Sequence, residues 1–224
     1  MAEKNLPPWS HTFFSDYGTC PSRAYHKYVA KDVPKEETDA LKEGRRVHDA
    51  LDARVTNGVQ LPDIYQKYEF LAAPLAAYRP IGELKLGILW SGKPCGFFDK
   101  EVWGRGVIDV PIINAARTSA ILFDWKTGKR KEDPTELRLQ ALLLHAQHPT
   151  LQHITGHYIW LRDLAIGESH NLSDVDATWE EVRYQWNVIF NHAKAGHWPE
   201  REGPLCSYCP VKKCRFWRPS PEGK

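Results

Sequence analysis

No stretch of this 224-residue sequence approaches the roughly 18 to 20 consecutive apolar residues that a membrane-crossing helix needs. The opening MAEKNLPPWS also lacks the basic-then-apolar pattern of a secretory signal, so an intracellular, cytoplasmic setting with no membrane partner is expected. Neither sign of charge is in excess. Thirty Lys and Arg face 28 Asp and Glu for a formal charge of +2, and any nucleic-acid contact must come from local patches rather than a polycationic surface. Internal repeats, low-complexity tracts and long Pro/Gly-rich linkers are missing too, which makes a single domain over 1–224 the simplest organisation. What remains, 42% hydrophobic and 26% charged residues, is the composition of a folded globular chain able to bury a sizeable core.

Cysteine is scarce and odd in number, with five residues. Cys20 stands near the N-terminus, and Cys206, Cys209 and Cys214 stand close together near the C-terminus. In a reducing compartment this spacing favours metal ligation over disulfides. Four thiolates suit either a tetrahedral zinc or a [4Fe-4S] cluster, and spacing by itself does not choose between them. Closing so long a loop carries an entropic cost that grows with the logarithm of its length, so a metal held there would support folding. Cys95, in Lys-Pro-Cys-Gly, reads as an unligated thiol.

Periodicity orders the chain as helix, strands, helix, strand, helix, an α/β arrangement in which helices cover a mixed sheet. From Thr38 to Asn57, Leu41, Gly44, His48, Leu51 and Val55 form one helical stripe, which turns His48 towards the core. Runs at Leu86 to Trp90, Lys100 to Ile113 and Ala120 to Lys126 read as an antiparallel meander. Helical spacing returns over Asp133 to His148, with Leu137, Gln140, Ala141 and Leu144 on one face. Thr155 to Ile166 reads as a strand. Thr178-Trp-Glu-Glu181 has the form of a capping box opening a last helix that ends near Gly196.

The segment GRGVIDVPIINAARTSAILFDWKTG, residues 104 to 128, places two β-type runs around a polar loop. A hairpin turning between Ala116 and Arg117 sets Asp109 opposite Asp124, at about 4.5 to 5.5 Å between Cβ atoms. Alternation puts Lys126 on the face of Asp124 and Trp125 on the other. Two acids that close repel unless something positive lies between them. Paired carboxylates suit a hard cation such as Mg²⁺ or Mn²⁺, the metals of phosphodiester hydrolysis, and a lysine beside them can orient water or offset phosphate charge. Pro111 cannot donate to a ladder and calls for an edge strand or a bulge just past Asp109. The alternative is a solvated hairpin end with a surface ion pair.

In this order, Cys20-Pro-Ser-Arg-Ala-Tyr, Gly44-Arg-Arg-Val-His48, Gly106-Val-Ile-Asp109, Asp124-Trp-Lys126-Thr-Gly128, Gln140 and the cysteine triplet resemble the PD-(D/E)XK nucleases. Within them the chain is most similar to the RecB-type branch and its CRISPR-associated iron-sulfur exonucleases. The resemblance implies a restriction-endonuclease-like core and a metal-dependent deoxyribonuclease, an exonuclease on single-stranded DNA or DNA ends. Recombination, repair, phage DNA processing or CRISPR adaptation would be its setting, with recombination or CRISPR proteins as partners. It also implies that His48, Asp109, Asp124 and the Trp125 carbonyl hold Mg²⁺ or Mn²⁺, that Lys126 serves the attacking water, and that Gln140 positions the site or DNA. Cys20, Cys206, Cys209 and Cys214 would hold a [4Fe-4S] cluster, with Zn²⁺ as the alternative. Two departures are visible: the branch usually has Tyr four residues after its Gln, where this chain has Leu144, and commonly five residues in the second cysteine gap, where Cys209 and Cys214 here enclose four.

Lys126, Lys129, Arg130 and Lys131 form a short basic run beyond the hairpin. Lys212, Lys213, Arg215 and Arg218 lie among Tyr208, Phe216 and Trp217, and both patches could grip phosphates. Glu83 reads as a surface acid. A second reading of the whole is a non-cleaving DNA- or partner-binding subunit with a structural metal site.

Overall fold

The computed structural model describes residues 6–34 and 37–219, a mixed α/β chain that forms two compact units. One unit joins the residues up to Glu37 with those from Glu180 onward; the other is Thr38–Trp179. Among the described residues no helix is long and apolar enough to cross a membrane.

The terminal unit opens with α1, His11–Thr19, whose Ser10 side chain caps the helix by accepting from Phe13 N at 3.2 Å. Pro21 then starts α2, Pro21–Ala24, at the position where a missing N–H costs nothing. A π-helical turn over Tyr25–Ala30 follows and ends at Lys31 in the left-handed conformation.

In the larger unit α3 spans Asp39–Asn57, capped by Thr38 at its start and by Gly58 at φ 69° at its end. Its inward stripe is Val47, Leu51 and Val55. Leu41, expected on that stripe, is 58% exposed, because the part of α3 buried in the apolar core begins only at Val47. A 3₁₀ segment, Asp63–Tyr68, leads into α4, Glu69–Ala76. Both pack with α3 over Val110, Trp125 and Ile159 in one apolar core.

The strands divide into two sheets rather than one antiparallel meander. Strands β1 (Leu84–Ile88), β2 (Pro94–Cys95) and β3 (Gly104–Ile108) form a three-stranded antiparallel sheet in the order β2-β1-β3. The run expected to be continuous over Lys100 to Ile113 starts late, since Asp99 Oδ1 folds residues 99 to 101 into a turn, and it breaks at Asp109. After the break, β4 (Val110–Ile113) joins β5 (Ser119–Lys126), and Asn114 Oδ1 ties their turn by accepting from Thr118 N and Ser119 N. Strand β4 is the edge of the second sheet, where Pro111 forfeits no ladder bond that matters.

Strand β5 runs parallel to β6, His153–Trp160, and the crossover that parallel pairing requires is α5, Thr135–Gln147. The expected single strand Thr155 to Ile166 begins earlier and turns at Leu161–Leu164 into β7, Ala165–Ile166; β8, His170–Asn171, also pairs with β6. Helix α5 is buried on more than one face, with Leu139, Leu142 and Leu143 inside as well as Leu137, Gln140, Ala141 and Leu144. The reason is that it packs against strands of both sheets. Gly106 makes room for it, as a Cβ there would stand 2.8 Å from Leu143 Cδ1.

The last helix, α6, spans Val175–Ala195, and Gly196 follows at φ 63°. It starts before the expected capping box. Asp174 Oδ1 accepts from Ala177 N at 3.0 Å and takes the capping role, while Thr178 is buried inside the first turns with its hydroxyl on Asp174 O.

Candidate functional site

The β4–β5 register is the one the sequence predicts: Val110 faces Phe123, Pro111 faces Leu122, and Ile113 faces Ala120. The ladder ends at Val110, and one residue on stands Asp109, close enough for its charge to act on Asp124. Asp109 lies at the break between β3 and β4, and its Oδ2 accepts from Trp125 N at 2.9 Å. The carboxylate therefore completes the ladder where the backbone of its own strand has turned away. His48 reaches the same oxygen from α3, with Nδ1 at 3.4 Å.

Glu83 is exposed, as expected of a surface acid, and also lines a small cavity with His48, Asp52, Asp109 and Trp125. Its volume is about 10 Å³, close to the space that one water-sized species occupies. Gly82 sets Glu83 there. Its φ of 88° is a conformation L side chains avoid, and a Cβ would stand 2.8 Å from Thr56 Oγ1 and 3.0 Å from Asp52 Oδ1. Asp52 Oδ1 in turn accepts from Glu83 N at 2.9 Å. Asp52 was legible only as the residue one turn after His48, a spacing that by itself selects nothing.

Asp124 does not line that cavity; it faces α5. Its Oδ1 accepts from Gln140 Nε2 at 2.8 Å, and Gln140 Nε2 also donates to Val107 O at 3.0 Å. Asp124 Oδ2 stands 2.6 Å from Lys126 Nζ. The lysine has a second acid that the sequence reading missed: Glu136 Oε2, in the first turn of α5, accepts from Nζ at 2.5 Å. No local signal could have revealed it, because the crossover loop between β5 and α5 decides the meeting. Tyr158, opposite Asp124 on β6, lies beneath the ammonium at 5.3 Å and anchors the same loop by donating to Asp133 O at 2.8 Å.

These placements set the proton affinities. Burial pushes the Asp124 carboxyl up to about 7, against the pull of Lys126 and with help from Asp109 and Glu136. Lys126 moves up as well: burial opposes its charge, but Asp124 and Glu136 together outweigh that and keep it an ammonium. For His48 burial also disfavours the charged ring, and the hydrogen bond and charge of Asp109, with the charge of Asp124, prevail to raise it.

Among the described residues no three His, Cys, Asp or Glu side chains are gathered closely enough to hold a metal ion as they stand. In kind, the donors fit a hard cation: oxygen from Asp109 and Glu83 and one imidazole around the small cavity. Beside them Gln140 Oε1 is buried without a hydrogen-bond partner, a polar atom whose desolvation nothing among the described residues offsets.

The terminal unit holds the second cluster. Cys20, Cys206, Cys209 and Cys214 all line one cavity of about 260 Å³, together with Thr19, Arg23, Val211 and Trp217. Two backbone N–H groups already point at sulfur, Arg201 N at 3.4 Å from Cys20 Sγ and Gly203 N at 3.3 Å from Cys206 Sγ. The Cys214 thiol is pushed up by burial and, further, by Glu200 and Cys20. Cys95 lies on β2, outside this cavity.

The basic runs are largely neutralised. Arg130 pairs with Glu132 at 2.6 Å, Lys131 with Asp133 at 3.4 Å, Lys213 with Asp32 at 2.8 Å, Arg215 with Glu200 at 2.9 Å and Arg218 with Glu202 at 2.7 Å.

No protein-family model and no curated protein matches the sequence. Among solved structures the chain is similar to one titled "Crystal structure of SSO0001", at 16% identity over 92% of this chain and 86% of that one, with a TM-score of 0.44. A likeness of that degree carries no argument about function.

Proposed function

We propose that the chain is a divalent-cation-dependent deoxyribonuclease with a restriction-endonuclease-like core, acting as an exonuclease on single strands or DNA ends in a reducing cytoplasm. The observation that supports this most is the convergence of four separate elements on one hairpin end. Asp109 and Asp124 come from adjoining strands, Lys126 follows on β5, His48 arrives from α3 and Gln140 from α5. A solvated hairpin end gives no reason for Asp124 to be 3% exposed.

In this reading His48, Asp109, Asp124 and the Trp125 carbonyl hold Mg²⁺ or Mn²⁺, with Glu83 as a further acid on the cavity of His48 and Asp109 and with Asp124 turning in from the α5 side. The cation, when bound, supplies Lewis-acid stabilisation of the phosphoryl charge. Lys126 remains protonated, so it acts by donating to the attacking water or to a phosphate oxygen rather than by accepting a proton. Gln140 holds Asp124 in place.

That Cys20, Cys206, Cys209 and Cys214 line one cavity supports a metal held by these thiols, a [4Fe-4S] cluster with Zn²⁺ as the alternative. Backbone N–H groups aimed at the sulfurs suit thiolates that carry negative charge.

Lys126→Ala decides between cutting and mere binding. Mg²⁺- or Mn²⁺-dependent cleavage of end-labelled DNA should vanish while DNA retention persists. Undiminished cutting would refute the assigned chemistry, and a wild type that retains DNA without cutting it would favour the non-cleaving subunit.

A further inference from the structure

Alternation along the first sheet sorts its residues into two faces. Leu86, Ile88, Gly104, Gly106 and Ile108 lie on the buried side, where Gly106 meets Leu143 of α5. Lys85, Arg105 and Val107 lie on the other side, with Lys85 directly opposite Val107. Two residues beyond Lys85 and Val107, just past the strand ends, stand Glu83 and Asp109, which both line the small cavity. The outer face of β1 and β3 therefore leads straight to the candidate site.

The charges on this face differ in their partners. Lys85 is paired with Glu83 at 3.1 Å. Arg105 has no carboxylate partner among the described residues; its guanidinium lies over the Phe97 ring at 5.0 Å. Phe97 in turn meets Phe98 edge-on at 4.9 Å, and Phe98 is 82% exposed. The Phe97 ring is thus the contact of both residues, and it leaves most of the Phe98 ring in water and the Arg105 guanidinium without an anion. Asp99, the acid nearest in sequence to the two rings, has one carboxylate oxygen turned to Glu101 N. From Arg105 to Asp109 is four residues, roughly 13 Å along an extended strand, a span of a few nucleotides.

We propose that this face is the path by which single-stranded DNA reaches the site, Arg105 gripping a backbone phosphate through its planar fork and Phe98 stacking on an unpaired base. The assignment rests on the nuclease reading above and adds to it the place and form of the substrate. A single strand is the occupant because its bases are free to stack, its phosphates carry the charge Arg105 lacks, and a paired base offers no open face to Phe98.

The test is binding of a labelled single-stranded oligonucleotide, followed by anisotropy in the presence of a chelator so that no cutting intervenes. Arg105→Ala should bind about tenfold more weakly, and its dependence of log affinity on log salt should be shallower by about 0.7. Phe98→Ala should lose roughly five- to a hundred-fold with an unchanged salt slope. Arg105→Lys should recover only part of the loss, as an ammonium keeps the charge without the fork. Phe98 is exposed and Arg105 half-buried, and unaltered melting temperatures would show that the fold is intact. Wild-type affinity in both alanine variants would overturn the path while leaving the nuclease reading in place, as would a wild type that prefers duplex. If the surface variants bind weakly but Lys126→Ala cuts at full rate, the path stands and the nuclease reading falls.

Discussion

Lys126 Nζ and Glu136 Oε2 meet at 2.5 Å, so the ammonium on β5 keeps a counter-charge from α5 besides that of Asp124. The second acid frees Asp124: a carboxylate that turns towards a cation would otherwise abandon a buried ammonium. Glu136→Gln is expected to weaken Mg²⁺ or Mn²⁺ binding by about an order of magnitude and to lower stability by roughly 1.5 to 3 kcal/mol, the usual worth of a hydrogen bond to a charged group. Calorimetric titration of the metal into both proteins measures the first effect and denaturant melts the second. Equal metal affinities would remove Glu136 from the site's working parts.

Acid should weaken the cation and alkali should strengthen it. His48 and Asp124 both have raised proton affinities, His48 above 6.5 and Asp124 up from 3.8 to about 7. The folded chain binds these protons more tightly than the unfolded one, so their contribution to stability is complete below the unfolded values and is lost as pH rises through the folded ones. A cation must displace those protons. Apparent Mg²⁺ affinity should therefore rise between about pH 5.5 and 8, and the metal-induced gain in melting temperature should be larger at pH 8. A pH-independent shift in melting temperature would contradict the assignment.

Asp109 has a structural duty as well as its place in the site, because its Oδ2 takes the Trp125 N–H beside a broken strand. Asp109→Asn can rotate its amide oxygen onto that N–H and keep the fold while halving the carboxylate pair. It should melt within about 1 kcal/mol of wild type, the net worth of a neutral hydrogen bond, and cut no DNA. Asp109→Ala should fail on both counts.

Protein purified without oxygen is expected to be brown and to carry about four irons per chain, the content of a four-thiolate cubane. Cys214→Ser should lose colour and iron and melt at lower temperature, since metal affinity here is folding free energy. Zinc at one equivalent in a colourless protein would replace the cluster with a single ion.

Gly106→Ala tests how α5 is seated. The new Cβ would press on Leu143 Cδ1 at 2.8 Å, a distance that forces the leucine or the helix to shift. A cost of about 1 to 3 kcal/mol is expected. Because α5 carries both Gln140 and Glu136, cleavage should fall more than stability alone explains, as measured well below the melting temperature.

Local chemistry was the legible part. Thr38 and Gly58 bracket α3 where the periodicity ends, and the polar loop at Asn114 to Ser119 sets the hairpin register that faces Val110 with Phe123. Pro111 pointed to an edge and β4 is one. Each follows from the backbone rules of a few neighbouring residues. What misled was equally local: Thr178 has the form of a cap, but Asp174 stands four residues earlier and captures the N–H first.

The residues themselves dictated helices, strands and one register, because caps, alternation and turn geometry act over a handful of positions. Folding in three dimensions decided which charges face one another. The break at Asp109 splits the strands into two sheets, α5 crosses between them to bring Glu136 to Lys126, and Gly82 tucks Glu83 beside His48. Electrostatic energy depends on distance through space, and that distance is set by packing across the whole unit rather than by separation along the chain.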